Sequence, residues 1–503
     1  VGHNNQDSEM MAEKVKRNGN KEIEAAAIVV FKYAVTSRCL IILLIILWRT
    51  LIPSYDTSSS INPPCIIPHS YLSAPNPALT LSRIGSAIQN SVVWDSVYFV
   101  RIAECGYEYE QSYAFLPLLP LLIKFFARTA LSPLISLIGY RAVLALAGYI
   151  ISNTAFVVAA VYFYRLSMIV LKDQEAALRA SILFCFNPAS VFYSSIYSES
   201  LYALCFIGGL QHFLSGEPTI ATFWWSISAF TRSNGIINAG YFCHHVLLQL
   251  CDNFPRRNRV SVAVKVLVLG ALRCLCIFAP FFGFQTYGYY RICHARSSDE
   301  SSPWCGRKIP LLYNYIQSKY WGVGFLRYYE LKQLPNFLLA SPVLSLATCA
   351  IIHFGLKDPE AFFKLGLRTQ KEESFEGSNS YYMKKSSGSV LRYKNHLIKE
   401  NAEDLVKKPS DDNRIDQTTR RLVYDSAIVS CTYHLGFMVA TALLVMHVQV
   451  STRFLSASPP VYWYAATVVR RSENLRLAYV IWAYCSTYIL LGSLLFSTFY
   501  PFT

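Results

Sequence analysis

Five short polar stretches of this 503-residue chain hold the side chains suited to chemistry. They are Trp94-Asp95, Asn187 to Glu199, Arg232-Ser233-Asn234, Trp304 to Arg327, and Arg453 to Pro460. Asp95 opens a segment of helical spacing in which Val97, Val100 and Ile102 can face a membrane. A carboxylate there can accept a proton from an attacking hydroxyl, and the ring of Trp94 can flank a sugar. The plain alternative is an N-capping Asp satisfied by backbone N–H groups. Glu199 opens another helix beyond the kink expected at Pro188, where an acid also suits the helix dipole. Arg232 offers a planar fork for a phosphate, or simply snorkels from a helix end to the interface. Glu108 and Glu110 read as solvated loop charges. Each stretch is weak alone, but a shared side of a membrane is what chemistry on lipid-borne substrates requires.

The elements that must position them are membrane helices. The chain is 53% hydrophobic and only 15% charged, with a mean hydropathy of +0.30; soluble domains average ~25% charged. Apolar segments of ~20 residues, enough to cross a ~30 Å hydrocarbon core, recur along its length. The 34 Tyr, 31 Phe and 8 Trp suit aromatic belts at both interfaces. A net charge of +15 is explained by cytosolic loop bias and does not call for nucleic acid.

The run Ala25 to Trp48 reads as a signal anchor with its basic flank in the cytosol. Alternation from there gives an all-α polytopic protein of about 11 transmembrane helices with its C-terminus on the non-cytosolic side. Residues 1–24 form a cytosolic tail, and 25–356 a transmembrane catalytic module with non-cytosolic loops at 51–113 and 290–330. Residues 357–421 read as a poorly ordered cytosolic insertion of mixed charge, and 422–503 as C-terminal membrane helices. The stretch 114–140, broken by Pro117, Pro120, Lys124, Arg128 and Pro133, crosses, re-enters or lies in the interface. No internal repeat suggests the inverted halves of many transporters.

Of the 14 cysteines, most lie in apolar segments, where a small thiol needs no special role. Cys65, Cys105, Cys293 and Cys305 fall in the non-cytosolic loops. Cys293 and Cys305 are expected to pair across an oxidising compartment, with Cys65 and Cys105 leaving other pairings open. No Cys/His spacing suggests zinc, and no metal or cofactor is expected.

Longer runs bring a resemblance into view. Trp94 to Phe99, Phe115-Leu116-Pro117, Phe186 to Phe192 with Tyr197-Ser198-Glu199, and Arg232 to Gly235 come first. Pro303-Trp304-Cys305, Tyr320 to Tyr329 (YWGVGFLRYY), Gln333 to Phe337, His447 to Val450 and Arg453 to Pro460 follow. Over roughly 26–356 and 422–503 the chain resembles the phosphatidylinositol-glycan class V family of mannosyltransferases, which add the second mannose of the glycosylphosphatidylinositol (GPI) anchor. The resemblance implies a GT-C glycosyltransferase fold in the endoplasmic reticulum membrane with lumenal loops forming the active site. It implies transfer from dolichyl-phosphate-mannose, in α-1,6 linkage and with inversion, to a mannosyl-glucosaminyl-phosphatidylinositol. A small accessory membrane subunit is a further expected partner. Asp95 matches the position of the base. Trp94, Asn187, Glu199, Arg232, Asn234, Trp321, Arg327, Gln333 and Arg453 are the expected substrate-binding residues. Arg232 and Arg453 lead as phosphate ligands, ahead of Arg327 and Arg101. A transporter or scramblase would bury its polar residues at mid-membrane depth, and a non-catalytic scaffold would tolerate loss of Asp95.

Overall fold

The computed structural model describes residues 3–55, 65–66, 81–253, 260–294, 302–367, 411–470 and 475–500, with the backbone alone for 3–20, 252–253 and 411–426. The elements among them are helices, as the apolar run lengths require. Six are long and apolar enough to span a bilayer: Lys21–Leu51, Tyr140–Leu171, Val260–His294, Leu331–Lys357, Ala427–Leu444 and Leu475–Ser497.

In chain order α1 (His3–Leu51) is followed by α2 (Ser82–Asn90), α3 (Asp95–Cys105), α4 (Leu118–Arg128), α5 (Ile135–Ile138) and α6 (Tyr140–Leu171). Next come α7 (Gln174–Cys185), α8 (Ser190–Ser194), α9 (Glu199–Leu214), α10 (Pro218–Thr231), α11 (Ala239–Asn253) and α12 (Val260–Tyr289). The chain closes with α13 (Leu312–Tyr320), α14 (Leu334–Lys357), α15 (Pro359–Phe363), α16 (Asp411–Leu444), α17 (Ser451–Phe454), α18 (Pro459–Arg470) and α19 (Leu475–Ser497).

Helix α6 is the hub, packed against α1, α4, α7 and α9, while α9 to α12 form a second row and α14 meets α16 and α18. The core between them is aromatic and aliphatic, with Phe156, Phe163, Phe184, Trp225 and Trp463 fully buried. Several expected spans are shorter than a bilayer is thick. The segments at 201–214, 219–230, 235–250 and 454–469 form helices of 16, 14, 15 and 12 residues. At 1.5 Å per residue these cover roughly 18–24 Å. The apolar run at 180–194 breaks at Asn187-Pro188 into α7 and α8.

The structure adds detail at 114–140, where the sequence left crossing, re-entry or an interfacial position open, and differs from the sequence reading at the start of the 357–421 insertion. Residues 118–138 form two helices bent by 72° at their junction, because Thr129 to Pro133 interrupts the ladder between them. The start of the 357–421 insertion is folded: Asp358 caps α15 through the Ala361 N–H at 3.0 Å, and Phe362 stacks on Tyr433 of α16 at 4.8 Å. The helix α16 begins at Asp411, inside the region expected to be loose. Residues 368–410 lie outside the described residues.

Candidate active site

Asp95 is the first residue of α3, and the backbone turn that delivers it is unusual. Trp94 adopts φ 53°, a left-handed value uncommon for a bulky residue. Its indole N–H donates to the Phe496 carbonyl at 3.1 Å and its ring packs on Phe499, so the C-terminal end of α19 holds the turn. The Asp95 N–H donates to the Tyr197 hydroxyl at 3.1 Å. Its carboxylate is not spent on capping. It accepts from the Arg453 guanidinium at 2.8 Å.

Glu199 likewise opens α9 with its carboxylate turned to guanidinium groups. It pairs with Arg232 and lies 3.8 Å from Arg453. Arg232 ends α10, and Gly235 behind it lets the chain fold back tightly: a Cβ there would stand 2.4 Å from the Ser228 backbone carbon. Glu199 is 4% exposed, Arg453 18%, Arg232 19% and Asp95 31%, so the quartet grades from buried to reachable. Two carboxylates face two guanidiniums, and their formal charges cancel. Burial alone would weaken the charged form of Arg453, but Asp95 and Glu199 more than offset it and raise its pKa above that of free arginine. Burial, with the Asp95 charge, raises the Tyr197 phenol well above its usual range, so it remains a neutral partner.

These groups line a cavity of about 180 Å³. Phe99, Phe115, Tyr313 and Trp321 supply aromatic wall, and Gln317, Ser233 and His447 supply polar edge. Tyr98 stacks on Phe115 at 4.6 Å and Trp321 approaches Phe115 edge-on at 6.1 Å. Flat rings of this kind suit the apolar face of a sugar, while the charged quartet suits its hydroxyls and a phosphate.

A sequence profile of the mannosyltransferase (PIG-V) family matches residues 27–503. The chain belongs to this family. Its relatives include the GPI alpha-1,6-mannosyltransferase 2 of Rattus norvegicus, 31% identical over 470 residues that cover 89% of this chain and 85% of that protein. The Homo sapiens protein of the same name is 29% identical over 467 residues, covering 89% and 85%. The GPI mannosyltransferase 2 of Drosophila melanogaster is 29% identical over 451 residues, covering 82% and 86%.

Within this mannosyltransferase, Asp95, Glu199, Arg232, Trp321 and Arg453 come together at the cavity. Five expected site residues do not line it. Trp94 turns toward α19 as described. Asn187 is fully buried and closes a local turn, accepting from the Ala189 N–H and donating to the Phe184 carbonyl, both at 2.8 Å. Asn234 is buried in the turn after Arg232. Arg327 donates to Ser318 at 2.9 Å, and Gln333 accepts from Asn336 at 2.7 Å. Arg101 does not line the cavity and pairs with Glu108 at 2.7 Å, so Glu108 is not the solvated loop charge expected.

Glu110 is no solvated loop charge either. Its carboxylate accepts from Ser302, Trp304 and Tyr320 at 2.6, 2.8 and 2.8 Å, with Lys319 at 3.4 Å, and so ties the first long loop to the second. Burial opposes its ionised form, but these hydrogen bonds and the Lys319 charge prevail and lower its pKa. Cys293 and Cys305 are bonded as expected, with Cα atoms 5.7 Å apart, and Cys65 pairs with Cys105.

Sequence reasoning missed Arg38. It is 3% exposed in the middle of α1 and donates to the Ser190 and Cys185 carbonyls at 2.9 and 3.1 Å. It thereby fastens the α7–α8 turn that leads to Tyr197 and Glu199. A lone Arg in an apolar span was itself a signal.

Proposed function

We propose that this chain transfers the second mannose of the GPI anchor, in α-1,6 linkage, from dolichyl-phosphate-mannose to a mannosyl-glucosaminyl-phosphatidylinositol. The observation that supports it most is the convergence of Asp95, Glu199, Arg232 and Arg453, from four segments distant in sequence, on one cavity. Asp95 takes the proton of the acceptor 6-hydroxyl as that oxygen attacks the anomeric carbon. The carbon–oxygen bond to phosphate breaks on the opposite face, inverting the centre, and dolichyl phosphate departs with the electron pair. Arg453 and Arg232 receive the phosphate charge. Arg453 holds Asp95 at 2.8 Å before substrate arrives, so a phosphate that draws the guanidinium toward itself also raises the basicity of the carboxylate.

On this reading the protein is a GT-C enzyme of the endoplasmic reticulum membrane, with the cavity lumenal. The short helices α7, α9, α10, α11 and α18 then complete about 11 crossings, shielded from lipid by their neighbours. A lumenal cavity also suits the two disulfides in the loops beside it.

Cells lacking this mannosylation step test the activity. The wild-type chain should restore surface GPI-anchored proteins, and the Asp95→Asn chain should not. Failure of the wild type at normal abundance would overturn the activity; rescue by Asp95→Asn would make Asp95 structural.

A further inference from the structure

We propose that His447 contacts the phosphate of the lipid-linked sugar donor, and that Tyr328, Asn336 and Gln333 are the positioning residues that hold its ring. This rests on the donor reading above. The charge count at the cavity gives the first reason. The two guanidiniums are already matched by the Asp95 and Glu199 carboxylates. A phosphodiester brings one further negative charge, and its release as a monoester adds most of another, since the second pKa of a phosphate monoester is ~6. Among the described residues that line the cavity, His447 is, besides Arg232 and Arg453, the one side chain that can itself become cationic. Its imidazole offers a donor in either protonation state. It also lies on the short stretch between α16 and α17, the helix that carries Arg453, so adjoining segments present both groups.

The second reason is the way the ring is held. The imidazole stacks on Tyr328, with centroids 4.6 Å apart and planes 22° from parallel. Face-on stacking covers one face of the ring and leaves its edge, where the two nitrogens lie, unblocked by Tyr328, and His447 itself lines the cavity. The Tyr328 hydroxyl accepts from the Asn336 amide at 2.7 Å, and the same amide donates to Gln333 at 2.7 Å. The Gln449 side chain also hydrogen-bonds that hydroxyl. Gln333 therefore belongs to the site at third hand, through Asn336 and Tyr328, and needs no contact with substrate. Such a chain of partners is how a ring is kept within reach of a reacting group.

The test is steady-state transfer in microsomes, with dolichyl-phosphate-mannose and the monomannosylated acceptor varied separately. His447→Gln should lower kcat/KM for the donor by about tenfold to a hundredfold, as loss of a hydrogen bond to a charged group does, and leave the acceptor KM unchanged. Tyr328→Leu, which removes the stack, should reproduce that donor-side signature, and Tyr328→Phe, which keeps it, should restore most of the rate. The Tyr328→Leu/His447→Gln double variant should be no worse than His447→Gln alone. Wild-type donor kinetics in His447→Gln, a change confined to the acceptor KM, or additive losses in the double variant would overturn the proposal while the enzyme itself remains active. An abundant wild-type chain that takes no mannose from this donor would overturn the donor reading, and this proposal with it.

Discussion

Arg453 and Asp95 are 358 residues apart in sequence and 2.8 Å apart in space. That pair joins the two halves of the site. Asp95 belongs to the loop region after the first membrane helix, and Arg453 to the hook between α16 and α18. The pair also sets the order of events, because a base held by a guanidinium becomes a better base once a phosphate claims that guanidinium. Arg453→Lys keeps the charge and loses the planar guanidinium, one nitrogen of which lies 2.8 Å from Asp95 and 3.8 Å from Glu199. Its activity should fall at least about tenfold at near wild-type abundance, as measured by transfer in microsomes. Unchanged activity would place phosphate recognition on other residues.

The Glu110 knot predicts a pH dependence of loop order. Its folded pKa is depressed, so its contribution is present above the unfolded value and is lost as pH falls through the folded one. At neutral pH, Glu110→Gln should expose residues 302–320 to protease faster than in the wild type. Below about pH 4, as pH falls past the free carboxylate value toward the lowered folded one, the difference between the two chains should narrow. Equal cleavage at neutral pH would show that the apolar contacts of Trp304 alone hold the loops.

Much of this arrangement was legible in the sequence, and the reason is physical. Apolar runs of bilayer length identify long helices wherever they stand, and Asp95, Glu199, Arg232 and Arg453 mark helix ends where polar groups are affordable. Partners across the fold were less legible. A carboxylate at a helix start looks the same whether it caps, as Asp173 does for α7, or crosses to a guanidinium, as Asp95 does. Asn187 and Gln333 stood in the right motifs but act through local turns and relays, which spacing does not reveal. The short helices of the second row were read as spans from their apolar runs, and at 14 to 16 residues each covers less than a ~30 Å core.

The bond between Cys293 and Cys305 spans 12 residues, and closing a loop of that size is worth roughly 3 kcal/mol. Cys293→Ala should lower thermal stability by that order and loosen the wall that carries Trp304. Alkylation without reduction should leave both cysteines unmodified in the wild type. Free thiols on both would contradict the pairing.

Replacing residues 370–408 with a short Gly/Ser linker should leave mannosyl transfer largely intact, since long loops add little closure cost. The cut must spare α15 and Leu365, whose carbonyl meets His244 at 2.8 Å. Clear loss of activity in a normally abundant, correctly localised deletion would assign that segment a partner or a regulatory role.

The central claim is that Asp95 is the base of a mannosyl transfer. The direct measurement is the rate at which microsomes carrying wild-type or Asp95→Asn chain convert the monomannosylated GPI intermediate to the dimannosylated one with dolichyl-phosphate-mannose. Asn keeps the shape and can still accept from Arg453, but it cannot take the proton. At matched abundance the rate should fall by ~10²–10⁴-fold; a rate near that of the wild type would contradict the assignment.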